Sequence, residues 1–259
     1  MSVLKISKLH KSFGGVNAVR NVSFEVGAEE MLALIGPNGA GKTTCFNLIN
    51  GQLKPDRGSI QFLDRRLVGM QPREMWRIGI SRTFQITATF ASLTVLENVQ
   101  LVLMSRRGEA NSVVRQGGKL HSDESMAVLE RIGIADQANR VCGELAYGDL
   151  KRVELAQALA SEPKLLLMDE PTAGMAPKER AQLMALTADL VRERKISVLF
   201  TEHDMDAVFG HADRIVVMSR GEIVMQGPPA AVRNDPMVRE IYLGRATIES
   251  KSSRKLGVL

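Results

Sequence analysis

Residues 3–9 and 22–26 alternate apolar and polar side chains in the period-two manner of half-buried strands, and Gly14, Gly15 and Gly27 punctuate them. The pattern returns at residues 59–63 after the turn signal Lys54-Pro55-Asp56-Arg57-Gly58, so these runs are expected to build a small antiparallel sheet. Other runs are apolar throughout. Residues 31–35, 165–168, 196–200 and 215–218 read as strands buried on both faces. Helical stretches at 44–50, 177–191 and 204–212 fall between them, a rhythm that predicts a right-handed parallel sheet. Pro72 opens a short helix ending at Arg77, and residues 78–84 return to the core as a strand.

From residue 86 to 160 the pattern is helical. Thr94 and Glu97 form a capping box for one helix, Ser122 or Asp123 is expected to cap a second through Arg131, and a third starts near Gly148 and ends before Pro163. Residues 106–119 lack apolar periodicity and read as an exposed loop. Residues 219–222 predict a hairpin turn, and short helices at 230–233 and 237–243 close the fold. The expected division is an α/β core at 1–85 and 161–244, an inserted helical subdomain at 86–160, and a tail at 245–259.

The strongest chemical signal lies between the strand at 31–35 and the helix after it. Gly36-Pro37-Asn38-Gly39-Ala40-Gly41-Lys42-Thr43-Thr44 fits the pattern G-x-x-x-x-G-K-[ST] at every fixed position. Glycines let consecutive N–H groups turn toward an anion, and the following helix points its positive end at the same place. Lys42 is suited to the β- and γ-phosphates of a nucleotide, and the Thr43 hydroxyl to the Mg²⁺ that bridges them.

A second group of polar residues follows the buried strands, at the end where ligands of parallel sheets lie. Asp169 closes the run Leu165-Leu166-Leu167-Met168 and is a candidate metal anchor, with Glu170 as the candidate general base. His203 after residues 196–200 is placed to contact the γ-phosphate or the attacking water. Gln85 follows the strand at 78–84, where its amide suits the metal or the water, and it sits where the helical segment begins.

Composition narrows the alternatives. The 259-residue chain is 44% apolar, contains no run near the roughly eighteen apolar residues of a membrane span, and starts without a signal-peptide pattern, so a cytosolic protein is expected. Cys45 and Cys142 suit small buried hydrophobes in a reducing compartment. The formal net charge is +5, of which the last fifteen residues supply +3 through Arg245, Lys251, Arg254 and Lys255 against Glu249. The body is nearly neutral, and no nucleic-acid partner is expected.

In order and spacing, the phosphate loop, Gln85, Asp169-Glu170 and His203 resemble an ABC ATPase cassette, with the likeness running to about Gly244. That family carries a signature loop Leu-Ser-Gly-Gly-Gln, and Leu145-Ala146-Tyr147-Gly148-Asp149 takes its place here. Ala146 lacks the hydroxyl, Asp149 replaces an amide with a charge, and Ala176 stands where most cassettes have an aspartate. Phe13-Gly14-Gly15-Val16-Asn17-Ala18-Val19, Arg82-Thr83-Phe84-Gln85, Leu93-Thr94-Val95-Leu96-Glu97-Asn98-Val99 and Tyr242-Leu243-Gly244 look like the ATP-binding subunits of branched-chain amino acid importers.

The resemblance implies a phosphate-loop NTPase core with an antiparallel β layer and a helical insert, acting on ATP with Mg²⁺. It implies that Phe13 stacks on adenine and that residues 145–149 close over the ATP of a second cassette. It also implies transmembrane permease subunits, an extracytoplasmic substrate-binding protein, and a place on the cytoplasmic face of the membrane. A urea or amide importer has closely similar cassettes. A soluble ABC protein of DNA or ribosomes would need a coiled-coil insert or two cassettes per chain, and a phosphate-loop kinase would leave Gln85, His203 and the signature loop without a role.

Overall fold

The computed structural model describes residues 1–83, 89–109 and 120–242. Two sheets organise it. β1 (Ser2–Phe13), β2 (Val16–Gly27), β4 (Arg57–Phe62) and β5 (Arg65–Arg66) form an antiparallel sheet in the order β2-β1-β4-β5. The larger sheet has the order β10-β9-β3-β8-β7-β6, built from β3 (Met31–Ile35), β6 (Ile80–Thr83), β7 (Leu165–Asp169), β8 (Ser197–Thr201), β9 (Arg214–Ser219) and β10 (Glu222–Gly227). β6, β7, β8, β3 and β9 are parallel, and β10 turns back antiparallel on β9.

The uninterrupted apolar runs have a direct cause. Leu32, Leu34, Leu165, Leu167 and Leu199 enter one core cluster with the antiparallel sheet and α1 (Lys42–Ile49), while Ala33, Ile35, Leu166, Met168 and Val198 enter a second cluster on the opposite face. Alternate side chains along each strand therefore meet a different layer, and every position must be apolar. The second cluster takes in α3 (Val95–Arg107), α4 (Ser122–Ile132), α5 (Tyr147–Ala160) and α6 (Pro177–Arg194). α2 (Pro72–Arg77), α7 (Met205–His211), α8 (Pro229–Asn234) and a helical turn at 236–242 complete the described elements. No helix among the described residues is long and apolar enough to cross a membrane.

Several sequence expectations need correction. β1 and β2 run through to the Gly14-Gly15 turn, well past residues 3–9 and 22–26, because register shifts along the pair break the alternation while pairing continues. Neither Ser122 nor Asp123 caps α4. His121 does so with φ 61, its ring engaged by Arg107 and Glu109, while the Ser122 hydroxyl accepts from Gln100 Nε2 at 3.0 Å. Arg106 and Arg107 are the last residues of α3, which ends at Gly108 in the left-handed conformation, and do not lie in a loop. The Thr94–Glu97 capping box is present, with the Thr94 hydroxyl accepting from Glu97 N at 3.2 Å. Arg220 and Gly221 both have positive φ in the expected hairpin turn, and both cysteines are buried. Gln85, residues 110–119 of the expected loop, and Leu243, Gly244 and the basic tail lie outside the described residues.

Candidate functional site

The phosphate loop leaves the carboxyl end of β3, all five of whose residues are buried, and passes into α1. Its path requires glycine. A Cβ on Gly36 would stand 2.2 Å from the Met218 carbonyl oxygen, and one on Gly41, at φ 103, would stand 2.3 Å from that of Ala18. The loop is held from outside as well, since Gly221 N donates to the Ala40 carbonyl at 3.0 Å. Lys42 is buried, and its ammonium donates to the carbonyls of Gly36 at 2.7 Å and Pro37 at 3.3 Å. Burial pushes the Lys42 pKa down, against the opposing pull of Glu170 and then Asp169. Both carboxylates thus face the loop electrostatically. Thr43 is exposed, and Pro37, Asn38, Gly39 and Thr44 complete the loop without full burial.

Asp169 ends β7 and is 5% exposed. Its Oδ1 accepts from the Thr201 hydroxyl at 2.8 Å and its Oδ2 from Arg82 Nη2 at 2.9 Å. Arg82 comes from β6, donates through Nη1 to Asn47 Oδ1 at 2.7 Å and Gln52 Oε1 at 3.2 Å, and lies over the Phe46 ring. One guanidinium therefore ties the end of α1 to the carboxylate at the end of β7. Glu170 has φ 50, and its N–H donates to the Thr201 carbonyl at 3.1 Å and hydroxyl at 3.0 Å. The side chain is aimed by this turn. Glu170 Oε1 lies 2.8 Å from His203 Nε2, so the two residues singled out in the sequence meet.

Glu202, which the sequence reading passed over, is 4% exposed. It accepts from Thr172 N at 2.8 Å, from the Thr172 hydroxyl at 2.6 Å and from His203 N at 3.2 Å. It thereby joins the segment after Glu170 to the segment that carries His203. Asp204 caps α7 through Ala207 N and pairs with Arg180 of α6, which fixes the other end of the His203 turn.

The signature segment follows a 3-10 turn at Cys142–Glu144. Leu145 is buried, Ala146 is the extended cap residue of α5 with no side-chain cap bond, and Tyr147 is 42% exposed. Gly148 is the second residue of the helix, where a Cβ would stand 3.1 Å from the Glu179 carboxyl group, and Asp149 is the acidic residue of its first turn. The Tyr147 ring lies against Gly174, and Ala176 caps α6 without a side-chain bond. Phe13 ends β1, is 45% exposed, and has Lys11 Nζ 5.5 Å from its ring centroid. A buried lysine in a glycine cradle, a strand-end aspartate, and a glutamate–histidine contact are suited to binding a nucleotide phosphate and activating water.

Residues 19–173 match the family described as ABC transporter. The chain belongs to the ABC transporter family. This ABC transporter chain is 40% identical over 252 residues to the high-affinity branched-chain amino acid transport ATP-binding protein LivG of Salmonella typhimurium, covering 94% of this chain and 98% of that one. It is also similar to the solved ADP conformation of MJ1267, an ATP-binding cassette of an ABC transporter, at TM-score 0.83 and 32% identity, covering 94% and 99% of the two chains. The dimeric structure of MJ0796, a bacterial ABC transporter cassette, matches at TM-score 0.76 and 26% identity over 87% of this chain and 98% of that one.

Proposed function

We propose that this chain is the ATP-hydrolysing subunit of an importer of branched-chain amino acids, bound peripherally to the cytoplasmic face of a membrane through permease subunits. The observation that carries the hydrolytic reading is the Glu170–His203 contact beside Asp169, with the charges of Glu170 and Asp169 felt at Lys42. The cargo reading rests on LivG of Salmonella typhimurium, whose name it is and which this chain matches at 40% identity. An extracytoplasmic binding protein would deliver that cargo. The core at 1–85 and 161–244 would carry the chemistry and the helices of 86–160 would meet the permease.

Lys42 supplies a fixed positive charge and N–H donors to the β- and γ-phosphates of ATP, joined by the loop amides from Gly36 to Thr44. To receive them its ammonium leaves the Gly36 and Pro37 carbonyls, which now occupy its donors. Phe13 offers its exposed ring to the adenine. Glu170 Oε accepts the proton of the attacking water, and His203 Nε2 holds that carboxylate and water in line.

The donor set fits Mg²⁺. Thr43 and Asp169 offer hard oxygen ligands, with Gln85 as the third candidate, and each Asp169 oxygen keeps a lone pair after its bond to Thr201 or Arg82. When bound, Mg²⁺ neutralises charge that develops on the phosphates. Leu145, Ala146, Tyr147, Gly148 and Asp149 would close over the ATP of a second cassette, with the N–H groups opening α5 standing in for the hydroxyl that Ala146 lacks. The dimeric structure of the MJ0796 cassette supports the pairing of two cassettes.

The test is Glu170→Gln. It should keep ATP affinity, lower turnover by about a hundredfold or more, and accumulate an ATP-bound dimer on size exclusion; undiminished hydrolysis would refute the assignment. Uptake of labelled leucine in membranes holding the assembled importer tests the cargo separately.

A further inference from the structure

A cavity of about 340 Å³ opens beside the start of β6 and β7, at the opposite end of these strands from Asp169. Arg65, Arg77, Arg106 and Lys164 line it, with Trp76 along one wall. Among its described lining residues the acid is Glu162, whose Oε2 lies 2.5 Å from Arg106 Nη2. A neighbouring groove shares Glu162 and Lys164 and adds Arg194 and Lys195. The nearly neutral body therefore concentrates six cations around one carboxylate.

Glu162 itself reports the field. Its carboxyl is held below the usual range first by the Arg106 hydrogen bond and then by the charges of Arg106, Arg194 and Arg107. It sits at the tip of the turn between α5 and β7 with φ 47, and its side chain is 57% exposed, so it can swing out to water. Its oxygens stand where those of a bound anion would stand. Guanidinium forks match phosphate oxygens two at a time, and four cations around a concave space exceed what a monoanion needs.

We propose that this cavity binds a multiply charged phosphate group, with Glu162 as its intramolecular stand-in. The group is carried either by a soluble phosphorylated compound or by an anionic lipid headgroup. Binding displaces Glu162 from Arg106 and leaves the nucleotide site untouched.

Calorimetric titration of the full-length chain with inorganic pyrophosphate tests this, in a Lys42→Ala background that silences the phosphate loop. One site per chain is expected, weakening with salt. Arg77→Ala and Lys164→Ala should each weaken it about fivefold, and Glu162→Gln should tighten it about fivefold. Arg77 and Lys164 are exposed, and an unchanged thermal melt keeps misfolding out of the comparison. Cosedimentation with vesicles containing phosphatidic acid, whose phosphomonoester headgroup can be doubly charged, but not with phosphatidylcholine vesicles, lost in Arg77→Ala/Lys164→Ala, assigns the phosphate to lipid. Pyrophosphate binding without cosedimentation assigns it to a soluble ligand. Absence of both, indifference to the arginine and lysine variants, or weakening by Glu162→Gln overturns the proposal.

Discussion

Replacing Arg82 with Met would test whether one guanidinium holds the two halves of the proposed nucleotide site in register. The side chains of Arg82 and Asp169 are 11% and 7% exposed, so the substitution leaves a nearly buried carboxylate facing an apolar chain. Removing one partner of a buried pair costs about 3–5 kcal/mol. Asp169 keeps the Thr201 hydroxyl, and Arg82 also loses Asn47 and Gln52, so about 3 kcal/mol is the working figure. A chain of 259 residues has an unfolding entropy of about 0.5 kcal/mol/K, which converts the loss to a fall in Tm of about 6 °C. Calorimetry or a circular-dichroism melt reads this directly. The penalty should shrink when Arg82→Met is made on top of Asp169→Asn, because no stranded charge remains. A fall below about 2 °C, or strictly additive effects in the double variant, would refute the reasoning.

Lys42→Ala removes the charge and the donors proposed to bind the phosphates, so affinity for a fluorescent ATP analogue should fall at least about tenfold, and an unchanged titration would contradict the role. Cys45 is fully buried with its thiol pushed up to about 12, and burial also raises Cys142. Neither should react with a disulfide reagent at neutral pH until denaturant is added, and rapid native labelling would count against the core packing. Burial and then the Arg192 charge hold His211 below its ordinary value. The unfolded chain then binds that proton more readily, so the stability His211 contributes above its unfolded pKa is lost as pH falls toward the lower folded one. His211→Gln should flatten the stability curve below about pH 6.5, and superimposable curves would exclude the effect.

How much could be read before the fold was known depended on how local the physics is. The phosphate loop was legible because its strand, its glycines, Lys42 and its helix are contiguous, and each constraint acts within a few residues. The buried strands were legible because burial on two faces writes itself as an unbroken apolar run. The extent of β1 was not, since the alternation slips where Lys8 takes φ 49 and the register shifts between Ile6 and Leu9. Ser122 looked like a cap, yet its hydroxyl answers to Gln100 twenty-two residues away. Arg82 shows the limit most clearly. Its partners Asn47, Gln52 and Asp169 lie 30 to 87 positions off, and nothing in Ser81-Arg82-Thr83 distinguishes a staple from a surface arginine. Glu202 is hidden for the same reason, with Thr172 as its distant partner.

The left-handed backbone of Glu170 carries a consequence for how the protein trades sturdiness against work. An L-residue held at φ 50 gives up about 1 kcal/mol that glycine would not. The fold therefore holds backbone strain at the residue proposed as the general base. Glu170→Gly releases that strain and Glu170→Gln retains it, so the glycine chain should outlast the glutamine chain on heating.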